Sequence, residues 1–173
     1  MNSPQQQPQV VLRALEPEDL DLLYQIENDR ELWHVGTTNV PYSRYALHDY
    51  LAQATGDIYT DKQVRLVIQD AEGTTVGLVD LQDFAPQHLR AEVGIVIRRQ
   101  WRHQGYGLAA LTALQQYARD VLHLHQLYAY VDGDNEPSCQ LFASAGFQRQ
   151  VVLQDWLRTP DGYRDACLLQ CFL

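Results

Sequence analysis

Arg98-Arg99-Gln100-Trp101-Arg102-His103-Gln104-Gly105-Tyr106-Gly107 separates two segments of different period. Before it, residues 90–97 alternate as a strand does, with Ala91, Val93, Ile95 and Ile97 on one face and Glu92, Gly94 and Val96 on the other. After it, Leu108, Leu111, Leu114, Ala118 and Val121 form a helical stripe opposite Thr112, Gln115, Gln116 and Arg119. A loop that runs from strand into helix offers unpaired backbone N–H groups and the positive end of a helix dipole, which is what a pyrophosphate requires. Gly105 and Gly107 permit close backbone approach, and Arg98, Arg99 and Arg102 add local positive charge. Taken alone, the segment fits a tight strand-to-helix turn with solvated arginines equally well.

Working outward, the spacing predicts strands over 10–15, 64–69 and 75–81, with Asp70-Ala71-Glu72-Gly73 as a hairpin turn. Helices are expected over 17–29, where Pro17, Glu18 and Asp19 suit a first turn, and over 43–54. A buried strand follows over 126–131, then a helix over 135–144 closed by Gly146. Strands over 148–157 and 163–172 flank the turn Thr159-Pro160-Asp161-Gly162. The resulting order is β-α-α-β-β-β-α-β-α-β-β. A parallel pair is expected where the central helix connects two strands.

The 173 residues suit one domain spanning 1–173, with 1–9 as a flexible N-terminus. Thirteen basic residues against twenty-two acidic ones give a formal net charge of −9, which disfavours nucleic acid and anionic lipid and weakly favours a cationic partner. Solubility alone is an equally ordinary reason for such a surface. Cys139, Cys167 and Cys171 have neither disulfide-framework nor zinc spacing, so no metal is expected. The polar N-terminus has no signal-peptide pattern, and no apolar run is long enough to span a bilayer, so a cytoplasmic location is expected.

Arg102-His103-Gln104-Gly105-Tyr106-Gly107 resembles the coenzyme A loop of GNAT acetyltransferases, Gln/Arg-x-x-Gly-x-Gly/Ala, with His103 where the family often has glycine. The run Asn135-Glu136-Pro137-Ser138-Cys139-Gln140-Leu141-Phe142-Ala143-Ser144-Ala145-Gly146-Phe147 is similar to a second family pattern, Asn-x-x-Ala/Ser-x-x-Leu-Tyr-x-x-x-Gly-Phe. The resemblance is nearest to the branch of ribosomal-protein N-terminal and spermidine N-acetyltransferases. It implies an α/β (α+β) GNAT fold: a mixed, mostly antiparallel sheet of about seven strands, helices on both faces, and a splayed central parallel pair. It also implies acetyl-CoA as cosubstrate, transfer to a primary amine by direct attack in a ternary complex, and no metal. A polyamine such as spermidine, a protein N-terminus or another small amine would be the acceptor. A homo-oligomer is compatible with this reading.

By the same resemblance, Ile95, Val96 and Ile97 would pair with pantetheine, and the backbone of Arg102, His103, Gln104, Gly105, Tyr106 and Gly107 would hold the phosphates. Asn135, Ser138 and Phe142 would complete the coenzyme site. Glu92 is the candidate general base, unless it only pairs with Arg90 or faces solvent. Phe142 replaces a tyrosine that protonates the leaving thiolate in many members. Ser138 is the candidate substitute, although a serine in a first helical turn also bonds its own backbone. Trp33, His34, Tyr42, Asp83, Phe84 and Glu92 are candidates for the acceptor site, and packing explains the aromatics equally well. A non-catalytic acyl-CoA sensor is the alternative that Phe142 leaves open.

Overall fold

The computed structural model describes residues 7–33 and 40–173. Seven strands form one sheet in the order β1-β2-β3-β4-β5-β7-β6. They are β1 (Val10–Ala14), β2 (Val64–Asp70), β3 (Thr75–Ala85), β4 (Arg90–Ile97), β5 (Gln126–Asp132), β6 (Gln148–Thr159) and β7 (Gly162–Phe172). Every pairing is antiparallel except β4 with β5. This is the GNAT architecture expected from the sequence.

The helices are α1 (Leu20–Glu27), α2 (Arg44–Gln53), α3 (Ile58–Asp61), α4 (Tyr106–Asp120) and α5 (Glu136–Ser144). Residues 17–19 form a separate 3-10 turn, so the first expected helix divides and ends two residues early. A short helix such as α3 leaves no readable period, and it was not anticipated. β3 runs four residues beyond expectation, through a bulge between Gln82 and Ala85 in which Asp83 adopts φ 49°.

The sheet has a core on each face. Ala91 and Val93 of β4 pack with Leu111, Leu114 and Ala118 of α4 and Phe142 of α5. Val67 and Leu78 meet Leu23 of α1 and Leu47 of α2 on the other face. Alternation therefore turns Glu92, Gly94 and Val96 away from the α4 side, as read from the sequence. The decisive irregularity is the parallel pair. β4 and β5 pair only at Arg90↔Gln126, Ala91↔Leu127 and Glu92↔Tyr128, and then they separate. β4 keeps its ladder to β3 as far as Ile97, and β5 keeps its ladder to β7 as far as Asp132. The split thus opens the sheet without dismantling either half.

Candidate active site

Two clefts meet at this split. The larger, about 940 Å³, runs from the end of β4 past the loop to α5. Ile95, Val96, Ile97, Arg102, His103, Gly105, Gly107, Asn135 and Ser138 all line it. The smaller, about 260 Å³, lies toward α1 and is lined by Glu27, Trp33, Arg65, Asp80, Gly94, Tyr130 and Phe142 among others. Ile95, Val96, Asp132, Asn135 and Ser138 border both.

The loop owes its shape to two left-handed residues. His103 has φ 59° and Gly105, the N-cap of α4, has φ 88°. A histidine tolerates this region better than a branched residue does, which fits its standing at a position of glycine character. The Arg102 Nε–H donates to the Ile97 carbonyl at 2.9 Å and so pins the loop to the end of β4. Gly107 lies under Leu141, where an added Cβ would stand 3.0 Å from Leu141 Cδ2, so the glycine lets α4 and α5 meet closely without displacing that side chain. Gln104 and Tyr106 turn their side chains elsewhere: the Gln104 amide donates to the Gln100 carbonyl at 2.7 Å, and the Tyr106 ring meets Trp101 edge-on. Of the three arginines, Arg98 donates to the Thr75 carbonyl, Arg99 pairs with Glu31 on the surface, and Arg102 alone borders the cleft.

At the start of α5, the Asn135 side chain accepts from the Ser138 N–H at 3.2 Å and so caps the helix, and Ser138 borders both clefts. Phe142 is buried, edge-on to Phe147, and reaches the smaller cleft.

Glu92 is half-buried beside Gln82, its register partner on β3. Burial pushes its carboxyl above the usual range, the Gln82 amide's hydrogen bond opposes that, and the nearby Asp83 charge adds to it. Asp83 in turn accepts from the Tyr128 hydroxyl at 2.6 Å. Burial and this bond to a carboxylate raise the phenol above its ordinary value. Gln82 borders the smaller cleft, whereas neither Glu92 nor Asp83 lines either cleft.

The remaining acceptor candidates separate. Trp33 borders the smaller cleft and donates its indole N–H to the Glu27 carbonyl at 2.9 Å. Tyr42 lies outside the clefts, its backbone tied on both sides to the Asn28 side chain. Phe84 is a core residue packed edge-on against Tyr59. His34 lies outside the described residues.

Besides Trp33, Asn135 and Ser138, the smaller cleft carries charged groups that the sequence did not single out. Arg65 on β2 reaches Asp80 on β3 with two bonds, Nε to Oδ1 at 2.8 Å and Nη2 to Oδ2 at 3.0 Å, and reaches Glu27 on α1 with Nη1. Burial lowers the guanidinium's pKa, and the two carboxylates more than offset this, so it stays raised and charged. Beyond the split, Asp132 is held by the Asp134 N–H and by Arg164. The hairpin about 70–74 carried a usable signal: folded on itself, it sets Arg65 opposite Asp80, a cross-strand pair of opposite charge.

Comparison with known proteins agrees with this geometry. Residues 9–148 match the acetyltransferase (GNAT) domain family. Spermidine N(1)-acetyltransferase of Escherichia coli K12 is 28% identical over 168 residues, 93% of this chain and 86% of that protein. The [ribosomal protein uS5]-alanine N-acetyltransferase of the same strain is 30% identical over 76 residues, 44% of this chain and 39% of that one. The crystal structure of spermidine N-acetyltransferase from Vibrio cholerae in complex with CoA and spermine superposes with a TM-score of 0.85 at 25% identity, covering 95% of each chain. A split parallel pair, a glycine loop at the start of α4 and a family match across most of the chain lead to one conclusion: the protein belongs to the GNAT acetyltransferases and is an N-acetyltransferase.

Proposed function

We propose that the chain transfers the acetyl group of acetyl-CoA to a primary amine of an aliphatic polycation such as spermidine, by direct attack in a ternary complex. The observation that carries this reading is the meeting of the two clefts at the β4–β5 split. Direct attack needs both reacting atoms within about 3.5 Å of one another, and a shared border is where that happens. The larger cleft suits coenzyme A: the left-handed loop and the first turn of α4 present amides to phosphate, and the end of β4 is unzipped from β5.

In this reading the amides of residues 103–107 hold the pyrophosphate, and the backbone of 95–97 pairs with pantetheine. An N–H near Val93 or Ile95 polarises the thioester carbonyl. Glu92 accepts the proton from the amine, with Gln82, which hydrogen-bonds Glu92 and borders the cleft, as its link to the acceptor. Ser138 donates a hydrogen bond to the departing thiolate. Spermidine enters as the acceptor because the smaller cleft is acidic and because the relatives named above include spermidine acetyltransferases.

The test is release of free thiol from acetyl-CoA in the presence of spermidine, a short peptide with a free N-terminus, or kanamycin. Spermidine is expected to raise the rate most. If no amine raises thiol release above the blank, the reading fails.

A further inference from the structure

Gly94 borders the smaller cleft between side chains of the strands on either side. The register across the sheet runs Arg65 on β2, Asp80 on β3 and Gly94 on β4. Continued two residues past Glu92↔Tyr128, the β4–β5 register sets Tyr130 across from Gly94, with the strands now apart. Gly94, Asp80 and Tyr130 all border the cleft. The result is a trough with a glycine between its walls, a carboxylate along one and an aromatic ring along the other.

Each wall is fixed by a different device. Arg65 grips Asp80 through two hydrogen bonds and ties it to Glu27, so the carboxylate cannot swing to solvent. Two carboxylates against one guanidinium leave the trough with net negative charge. Tyr130, 41% exposed, is flanked by Tyr128 edge-on at 5.8 Å and by Trp156 stacked at 6.0 Å. An ammonium group gains from a carboxylate on one side and a ring face on the other, and its methylenes gain from the ring as well.

We infer that the trough formed by Asp80, Gly94 and Tyr130 is the subsite that selects an unbranched aliphatic ammonium, with Arg65 as the positioning residue. This rests on the amine-transfer reading above and adds the groups that would decide which amine is taken. Gly94 is the most discriminating of them. A Cβ there would lie 3.6 Å from Asp80 Oδ2, an ordinary contact, so alanine fits the strand without strain and yet adds a side chain between the walls.

The experiment is calorimetric titration of spermidine into the CoA-saturated protein, alongside KM measurements. Gly94→Ala and Tyr130→Leu are expected to weaken spermidine binding by about fivefold or more and to raise the KM for amine while leaving the KM for acetyl-CoA unchanged. Tyr130→Phe, which keeps the ring, should retain wild-type binding, as should Tyr163→Leu on the exposed hairpin. If Gly94→Ala and Tyr130→Leu bind spermidine as wild type does, or if the wild-type protein binds none, the trough is not the subsite. Trough-dependent binding without thiol release from acetyl-CoA would instead overturn the proposed reaction and leave the subsite standing.

Discussion

Gly105 and Pro8 face each other across the loop that precedes α4: a Cβ built on Gly105 would lie 2.9 Å from Pro8 Cδ. The missing side chain therefore points at the chain's N-terminal arm, while the same residue holds φ 88°. Substitution should act through backbone conformation, since a left-handed residue costs an L-amino acid about 1–2 kcal/mol, and through the clash with Pro8. Gly105→Val is expected to weaken acetyl-CoA binding by tenfold or more, measured by calorimetry. Wild-type affinity in the folded variant would remove the loop from the phosphate site.

Glu92 offers a pH-dependent prediction. Its carboxyl sits above the ordinary value of 4.5 because it is half-buried, so as a base it would lose activity on the acid side earlier than an exposed glutamate. Glu92→Gln should lower kcat by about 10²-fold with acetyl-CoA affinity retained. The stability sign is opposite to that of a paired acid. With a raised folded pKa, the protonated form favours the fold, and this contribution is lost as pH rises through that pKa. Glu92→Gln is thus expected to hold or raise Tm at neutral pH. Wild-type turnover between pH 6 and 9 would place the base elsewhere.

Asp19 is the contrasting acid. It is 7% exposed and accepts two bonds from Arg13, at 2.7 and 2.9 Å, and one from the Glu16 N–H at 2.8 Å. The Arg13 bonds hold its carboxyl below the ordinary 3.8, against the effect of burial. Its contribution is therefore present above 3.8 and is lost as pH falls through the lower folded value. Asp19→Asn should destabilise the protein by about 1–3 kcal/mol at neutral pH and flatten the acid limb of the stability curve, as read by urea unfolding. Equal loss at pH 3 and pH 7 would show that packing, not charge, holds the β1–α1 corner.

The strands, the α4 stripe and the loop were legible because period and glycine placement are local signals. Gly105, read as a place of unusual backbone, is the left-handed N-cap of α4, and Asn135, read as the start of the next helix, caps α5 with its side chain. Glu27, Arg65 and Asp80 come from three elements and meet only through register and helix packing, so no spacing along the chain announces them. Phe84 illustrates the converse: an aromatic next to a loop acid reads as a ligand wall, yet the bulge at Asp83 turns it into the core. Where a strand bulges, alternation no longer assigns faces.

Phe142 and Ser138 carry the last prediction. Phe142 is 3% exposed and edge-on to Phe147 at 5.0 Å, so it contributes packing at a place where the family pattern has a hydroxyl. Ser138 lies one helical turn earlier, so both side chains occupy neighbouring positions on α5, and both reach the smaller cleft. The serine's N–H is committed to the Asn135 cap, which fixes its backbone beside the cleft. A thiolate of ordinary thiol basicity departs readily if one hydrogen bond stabilises it. Ser138→Ala should then lower kcat by about ten- to a hundredfold, the size expected for a bond formed mainly in the transition state. Adding Phe142→Tyr to that variant should restore part of the loss, because the new hydroxyl extends from a ring that already borders the cleft. Steady-state kinetics on the single and double variants decides the matter. If Ser138→Ala turns over at the wild-type rate, the thiolate takes its proton from water and Ser138 is only the third residue of a capped helix.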